Sequence, residues 1–396
     1  MLEPLPPPKL VNPLLDLFEK RFAIFALLIF SGVLNLTSYY SPLETLMSPF
    51  GSAGVPTPVP TVSVADRVVS VMRSLVYLVT FFLMIARFKS LVRPAMRDPF
   101  LWALVGIAAT SFIWSDFPNL SQKSGVLLIE TTLFGLYFAS RFSLREQLRI
   151  VAWALGIASV FSLLYSLALP SSAIEPGGLW RGPLIQKNIF ARLMVSSGLP
   201  LLLVALNSRR YRYVIWTVFG ITFALIVLAK SKTALIVFIA LMILVPIYRV
   251  LQWSDSLAIP FFSVMILVGT SIATWFVTNW EPFLYSIGKE PTLTGRTEIW
   301  GAVIDKIWER PWLGYGYTAF WESGGVGQKA VFQVIFLNIS QAHNGYVNLG
   351  AELGLLGLSF FIIGLLTAYI RAMNWARLGR TSEELWPLIY INFLIV

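Results

Sequence analysis

Long apolar stretches alternate with short polar segments along nearly the whole chain. Runs of about 17 to 23 apolar residues, long enough to cross a hydrocarbon core as helix, recur near 22–40, 68–88, 100–114, 124–140, 150–169, 189–206, 213–229, 233–248, 257–278 and 346–370, and another begins at Leu385. The pattern lapses between 279 and 345. There, polar and glycine-containing sequence holds one short amphipathic helix, in which Ile299, Trp300, Val303, Ile304, Ile307 and Trp308 recur at helical spacing. Gly295 stands at its N-cap position, Glu298 at its third helical position, and Pro311 ends it. Two tryptophans on one face place this helix in the interface plane, against the bilayer or the bundle. The chain therefore reads as all-α, a polytopic membrane bundle of about 11 spans. Its expected parts are a cytoplasmic tail (1–21), spans one to nine (22–278), a large external loop (279–345), and span ten with a partial eleventh (346–396). The stretch from Leu385 to Val396 is too short to cross a bilayer, so the chain is expected to be a fragment of a longer one.

Composition agrees with this pattern. Of 396 residues, 57% are hydrophobic and 13% charged, with a mean hydropathy of +0.73, far from a soluble domain. The net charge of +10 accordingly signals loop charges beside spans rather than nucleic-acid binding. Each expected inner loop carries Lys or Arg, among them Lys20, Arg21, Arg87, Arg141, Arg209, Arg249 and Arg371. The positive-inside rule thus puts the N-terminus in the cytoplasm. Without cysteine there are no disulfides, thiolate metal sites or thiol nucleophiles, and a single histidine leaves little for a multi-histidine metal centre. The N-terminus lacks a cleavable leader pattern, and the first span is expected to be a retained anchor.

Several basic residues lie on the expected outer side, in or beside apolar helix, where a charge at mid-span costs about 2.5 to 3.5 kcal/mol. Arg181, Lys187 and Arg192 surround the start of the sixth span, after a loop that Gly177, Gly178, Gly182 and Pro183 make irregular. Asn188 is the expected N-cap there. Lys230 and Lys232 flank Ser231 at the tip of the next hairpin, and Arg296 falls in the first turn of the amphipathic helix. Helix starts already favour anions, so these cations suit a phosphate-bearing ligand. His343 stands at the outer mouth of span ten. Glu352 follows it in apolar helix, where it is expected to orient a partner or line the cavity, and Gly350, Gly354 and Gly357 are expected to admit close helix approach. Arg73 and Glu130 lie at similar depth in spans two and four and are expected to pair. No Asp-x-Asp pair occurs, so no metal and no cofactor is expected. A lone imidazole near its ordinary pKa suits a general base for a hydroxyl acceptor, with Arg and Lys stabilising a diphosphate leaving group.

In chain order, WRGPLIQKN, AKSK, TGRTEIW, ERPWLGYGY and AHNGYVNLGAELGLLG resemble segments of the O-antigen ligase and O-antigen or exopolysaccharide polymerase superfamily. The resemblance covers roughly 170–365 and agrees with the span count and the long external loop. It implies a glycosyltransferase of the polytopic GT-C type in the bacterial cytoplasmic (inner) membrane, with its active face periplasmic or external. The implied donor is an undecaprenyl-diphosphate-linked glycan. The implied acceptor is a glycan or lipid-linked hydroxyl, with membrane lipids and a polysaccharide export assembly as further partners and no nucleic acid. It also implies diphosphate contacts from Lys187, Lys232 and Arg296, with His343 as base. Two positions depart from the common pattern: Gln186 precedes Lys187-Asn188 where relatives commonly have His, and Lys232 follows Ser231 where many have Arg. Lysine keeps the charge but loses the bidentate fork. The competing readings are a small-anion, bicarbonate-like transporter, against which the concentration of charge at the outer end counts, and a non-enzymatic scaffold in an export assembly.

Overall fold

The computed structural model describes residues 13–34, 64–252, 296–336 and 341–395, with scattered positions between 256 and 279. Most of span nine, Gly295 and the Arg296 side chain lie outside the described residues. The described α-helices of nine or more residues are α1 (Pro13–Phe30), α2 (Val64–Ala86), α3 (Phe88–Met96), α4 (Pro99–Thr110), α5 (Pro118–Arg141), α6 (Leu144–Ala168), α7 (Lys187–Asn207), α8 (Arg212–Leu228), α9 (Lys232–Arg249), α10 (Arg296–Glu309), α11 (Val326–Ile335), α12 (Gly345–Leu378) and α13 (Trp386–Ile395). Five described stretches are long and apolar enough to cross a membrane: 67–86, α6, α7, α9 and α12. Shorter apolar helices run over 99–113 and α8. On α2, Leu75, Leu78, Phe82 and Ile85 follow one helical face and remain exposed, as the lipid-facing side of a span does. The chain is an all-α polytopic membrane protein.

The largest core joins α6, α7, α8, α9, α12 and α13. At its centre α7 and α9 touch closely, because a Cβ on Gly198 would stand 2.6 Å from the Phe238 ring. A second core packs α1 and α2 against α5 and α6 around Phe22, Val76, Phe134 and Tyr137. A third belongs to the segment after span nine, where Ile299, Val303 and Ile307 of α10 close over Tyr315, Phe320, Trp321, Val331 and Ala351. The apolar face of α10 is thus turned inward, onto its own cap and α12. Ile304 and Trp308, expected on the same apolar face, stay exposed.

Segments expected on one side of the membrane do meet. Glu19 is fully buried and receives Arg87 at 2.7 and 2.9 Å and also Arg141. Asp16 pairs with Arg141 and Lys20, and Lys20 reaches Glu146 at 3.0 Å. Beside them Arg145 pairs with Glu384 and Gln252 donates to the Thr381 carbonyl. All of these belong to expected inner loops. Arg73 and Glu130, by contrast, form no ion pair among the described residues. Both lie near the Tyr77 phenol instead.

α12 is broken at Gly354, whose φ of 67° and ψ of −173° are not helical. The segment 311–316 lies in the break. Tyr315 and Gly316 N–H groups donate to the Ala351 and Glu352 carbonyls at 3.0 and 2.9 Å, while Leu355 and Leu356 N–H groups donate to Pro311 and Trp312 carbonyls at 2.7 and 3.3 Å. These four bonds take up backbone groups freed by the break, which within a span would otherwise be costly. Close approach does occur at Gly354, but toward an extended segment rather than a helix. A Cβ there would lie 2.3 Å from the Trp312 carbonyl. Gly350 instead faces Ile307 of α10, and a Cβ on Gly357 would meet only Leu353 of its own helix.

Candidate functional site

The loop before α7 is more ordered than its glycines suggest. Ile174–Glu175 and Leu179–Trp180 pair antiparallel as a small hairpin, turned by Gly177 and Gly178 at φ 87° and 70°. Arg181 follows, with its guanidinium donating to the Ser172 and Ile185 carbonyls at 3.1 and 3.0 Å. This cation therefore shapes the loop. Gly182, at φ 57°, brings the loop onto the first turn of α7, where a Cβ would lie 2.7 Å from Phe190. α7 itself begins at Lys187 with Gln186, not Asn188, at the N-cap. Asn188 is engaged elsewhere, because its side-chain oxygen accepts from the Ser231 hydroxyl at 3.1 Å.

That bond fastens the start of α7 to the start of α9, since Ser231 is the N-cap of α9 and Lys232 its first residue. Neither N-cap side chain bonds its own helix. Two helix starts therefore stand side by side, each headed by a lysine and each with first-turn amides that have no intrahelical partner. Lys187 is half-buried, and Arg192, Lys230 and Lys232 are exposed. Lys230 has the left-handed φ of 50°, and its ammonium donates to the Gly177 carbonyl at 3.0 Å, so the hairpin tip folds over this corner. Of the expected cations, the structure brings Lys187, Lys230 and Lys232 together. Arg192 lies further along α7.

His343 is built differently. It is exposed and takes a left-handed φ of 52°, directly before Asn344, which caps α12 by accepting from the Tyr346 and Val347 amides. The preceding residue is clamped at both ends. Trp300 Nε1 donates to the Ala342 carbonyl at 2.8 Å, and the Ala342 amide donates to Asn348 Oδ1 at 2.9 Å. Trp321 Nε1 donates to the same Asn348 oxygen at 3.0 Å. Two indoles and one amide thus fix the backbone from which His343 projects. Sequence reasoning used Trp300 only as an apolar marker and passed over Trp321 and Asn348. The one signal in the sequence was that Asn348 lies one helical turn after Asn344.

Glu352 belongs to the break in α12. It is half-buried, its carboxylate lies against the Thr318 amide, and its carbonyl holds Gly316. The same segment is tied to the 111–124 turn: Arg310 pairs with Asp116 at 2.8 Å, Tyr317 N–H donates to Ser111 and Thr318 Oγ1 donates to Ser124. Burial, and then the neighbouring Glu309 carboxylate, push the Tyr315 phenol up to about 12. It therefore stays a neutral donor to Glu309 at 3.1 Å.

Asn207, the last residue of α7, lines the same cavity as Glu383, Gln252 just after α9 donates to the Thr381 carbonyl, and α12 ends at Leu378, so all three helices end beside the short 382–385 turn. The first turns of α7 and α9, carrying Lys187 and Lys232, consequently point toward the opposite end of the bundle, while His343 precedes the part of α12 that lies before the break at Gly354. α7 alone spans about 30 Å between those ends.

These features define a polytopic helical membrane protein with lysine-headed helix starts at one end of the bundle and a histidine held by a small folded cap. Residues 217–362 match the family model described as O-antigen ligase. Over 102 residues the chain is 28% identical to the exopolysaccharide production protein ExoQ of Rhizobium meliloti (strain 1021). That match covers 25% of this chain and 23% of ExoQ. Both findings support the O-antigen ligase and polysaccharide polymerase superfamily, the one that the sequence motifs resemble. The matched region contains Lys230, Lys232, Arg296, His343 and Glu352, whereas Arg181, Lys187 and Arg192 precede it.

Proposed function

We propose that the protein is a membrane glycan transferase that moves or polymerises an oligosaccharide carried on a lipid diphosphate, such as undecaprenyl diphosphate, onto an acceptor hydroxyl. The observation that carries this reading is the Ser231–Asn188 bond, which holds the lysine-headed starts of α7 and α9 together. Two cations and two sets of first-turn amides at one point suit a diphosphate. In the reaction His343 takes the proton from the acceptor hydroxyl. The oxygen then bonds the anomeric carbon of the donor sugar, and the bond from that carbon to the diphosphate breaks. The departing negative charge develops against Lys187, Lys232 and Arg296, so the leaving group needs neither a proton nor a metal. The GT-C class, the inner membrane and an outward-facing site complete the proposal.

The test is surface-polysaccharide analysis in a deletion strain complemented with wild type, His343→Ala or Arg296→Ala. Both variants are expected to insert normally and to abolish transfer; normal transfer by both overturns the reading. In the uncomplemented strain, single lipid-linked repeat units identify a polymerase. Full-length polymer left on its carrier identifies a ligase.

A further inference from the structure

At the end opposite the lysine corner, a cavity of about 690 Å³ opens between α6, the last turn of α7 and α8. Its walls are apolar. Trp153, Ile157, Phe161 and Leu164 follow one face of α6, and Val214 and Val218 face them from α8. Its mouth is cationic, formed by Arg149, Arg209 and Arg210 with Glu383 as the one carboxylate in the lining. Glu383 meets Arg149 at 3.4 Å, while Arg209 and Arg210 are exposed and in no ion pair among the described residues. Three guanidinium groups against one carboxylate leave a surplus of two positive charges. The strip of α6 from Arg149 to Leu164 rises about 22 Å, more than the roughly 15 Å of hydrocarbon in one leaflet.

We infer that this groove binds an anionic phospholipid of the adjoining leaflet, with its phosphate on Arg209 and Arg210 and one acyl chain along Trp153, Ile157 and Phe161. Charge complementarity selects the head group, as in basic pockets between membrane helices. The groove is separate from the proposed donor site, because α7 places its mouth about 30 Å from Lys187. The inference therefore stands whether or not the chain transfers glycan.

The purified full-length chain, reconstituted in nanodiscs of phosphatidylglycerol and phosphatidylcholine and released for native mass spectrometry, is expected to retain phosphatidylglycerol preferentially. The Arg209→Ala/Arg210→Ala double variant is expected to lose that preference on the order of tenfold. An independent readout leaves the arginines in place: brominated-acyl phosphatidylglycerol should quench wild-type tryptophan emission more than brominated phosphatidylcholine does, with the excess removed in Trp153→Phe. Retention without head-group preference, a double variant that retains lipid like wild type, a prenyl carrier as the retained species, or a phosphatidylglycerol excess in quenching that persists in Trp153→Phe each overturns the assignment.

Discussion

Two groups of cations, one at each end of the bundle, use positive charge in opposite ways. At one end Lys20, Arg87, Arg141, Arg145 and Arg149 each meet a carboxylate, and the innermost of these, Glu19, is fully buried. At the other end Lys187, Arg192, Lys230 and Lys232 form no ion pair among the described residues. Charges of the first kind hold helices to one another. Those of the second kind meet no carboxylate, although Lys230 donates to the Gly177 carbonyl, and a cation at a helix start is mildly unfavourable by itself. The contrast teaches that compensated charge at this fold's membrane edge serves architecture and uncompensated charge awaits an anion.

Breaking the compensated end should produce the largest effect on stability. Glu19→Ala leaves Arg87 without its counter-charge and Arg141 with Asp16 alone, and loss of one partner of a buried ionic group costs about 3 to 5 kcal/mol. The purified variant should unfold at markedly lower temperature or denaturant concentration. A wild-type unfolding midpoint would mean that this cluster is not a lock.

Lys232→Ala should have nearly the reverse profile. Removing one stabiliser of a leaving group costs transfer about 10²- to 10³-fold, or about 2.7 to 4 kcal/mol. The fold should be unchanged or slightly firmer, since relief of the unfavourable charge at the start of α9 contributes about 0.3 to 1 kcal/mol. Transfer by variant-bearing membranes, set beside the unfolding midpoint of the same variant, separates the two. Parallel loss of both would erase the distinction between the ends.

The break in α12 links the proposed site to the frame, and Gly354→Ala tests that link. Its φ and ψ fall in a region open essentially to glycine alone, where another residue is strained by about 1 to 3 kcal/mol. The added Cβ would also press on Trp312. The expected result is a moderate drop in unfolding midpoint with faster hydrogen exchange over 311–318. Unaltered exchange there would show that the 311–316 segment does not depend on the break.

Much of this was legible in the sequence, and the rest was hidden for identifiable reasons. Apolar runs set the helices nearly in place, because span length is fixed by the bilayer. The lysine corner was readable from glycines, prolines and charges close together in sequence. What escaped were bonds between distant segments. Asn188 suits an N-cap locally, but a neighbouring helix start recruits it through Ser231. Arg181 carries the same charge as Lys187, yet two nearby carbonyls engage it. The glycines of LGYGY and LGLLG read as helix-packing or loop residues until the two segments are seen to satisfy each other's backbone. Asp16 and Glu19, near the N-terminus, gave no sign of the arginines that reach them from 87 and 141.

The smallest expected effect belongs to the rim of the compensated end. Burial alone would raise the Glu384 carboxyl, but the Thr381 amide at 2.8 Å, the Arg145 guanidinium and the Arg380 amide outweigh it and bring it below the ordinary value of 4.5. A carboxyl depressed in the folded state contributes its stability above the unfolded pKa and loses it as pH falls through the folded one. Unfolding midpoints measured from about pH 5 down to about pH 3 should therefore fall more steeply for wild type than for Glu384→Gln, which has no such proton to take up. Arg145 is more than half exposed, so solvent screening keeps the difference small. Coincident slopes would show that this pair adds nothing to the lock. A clear difference in slope, with transfer activity unaffected at neutral pH, would extend the division between the two ends to its weakest member.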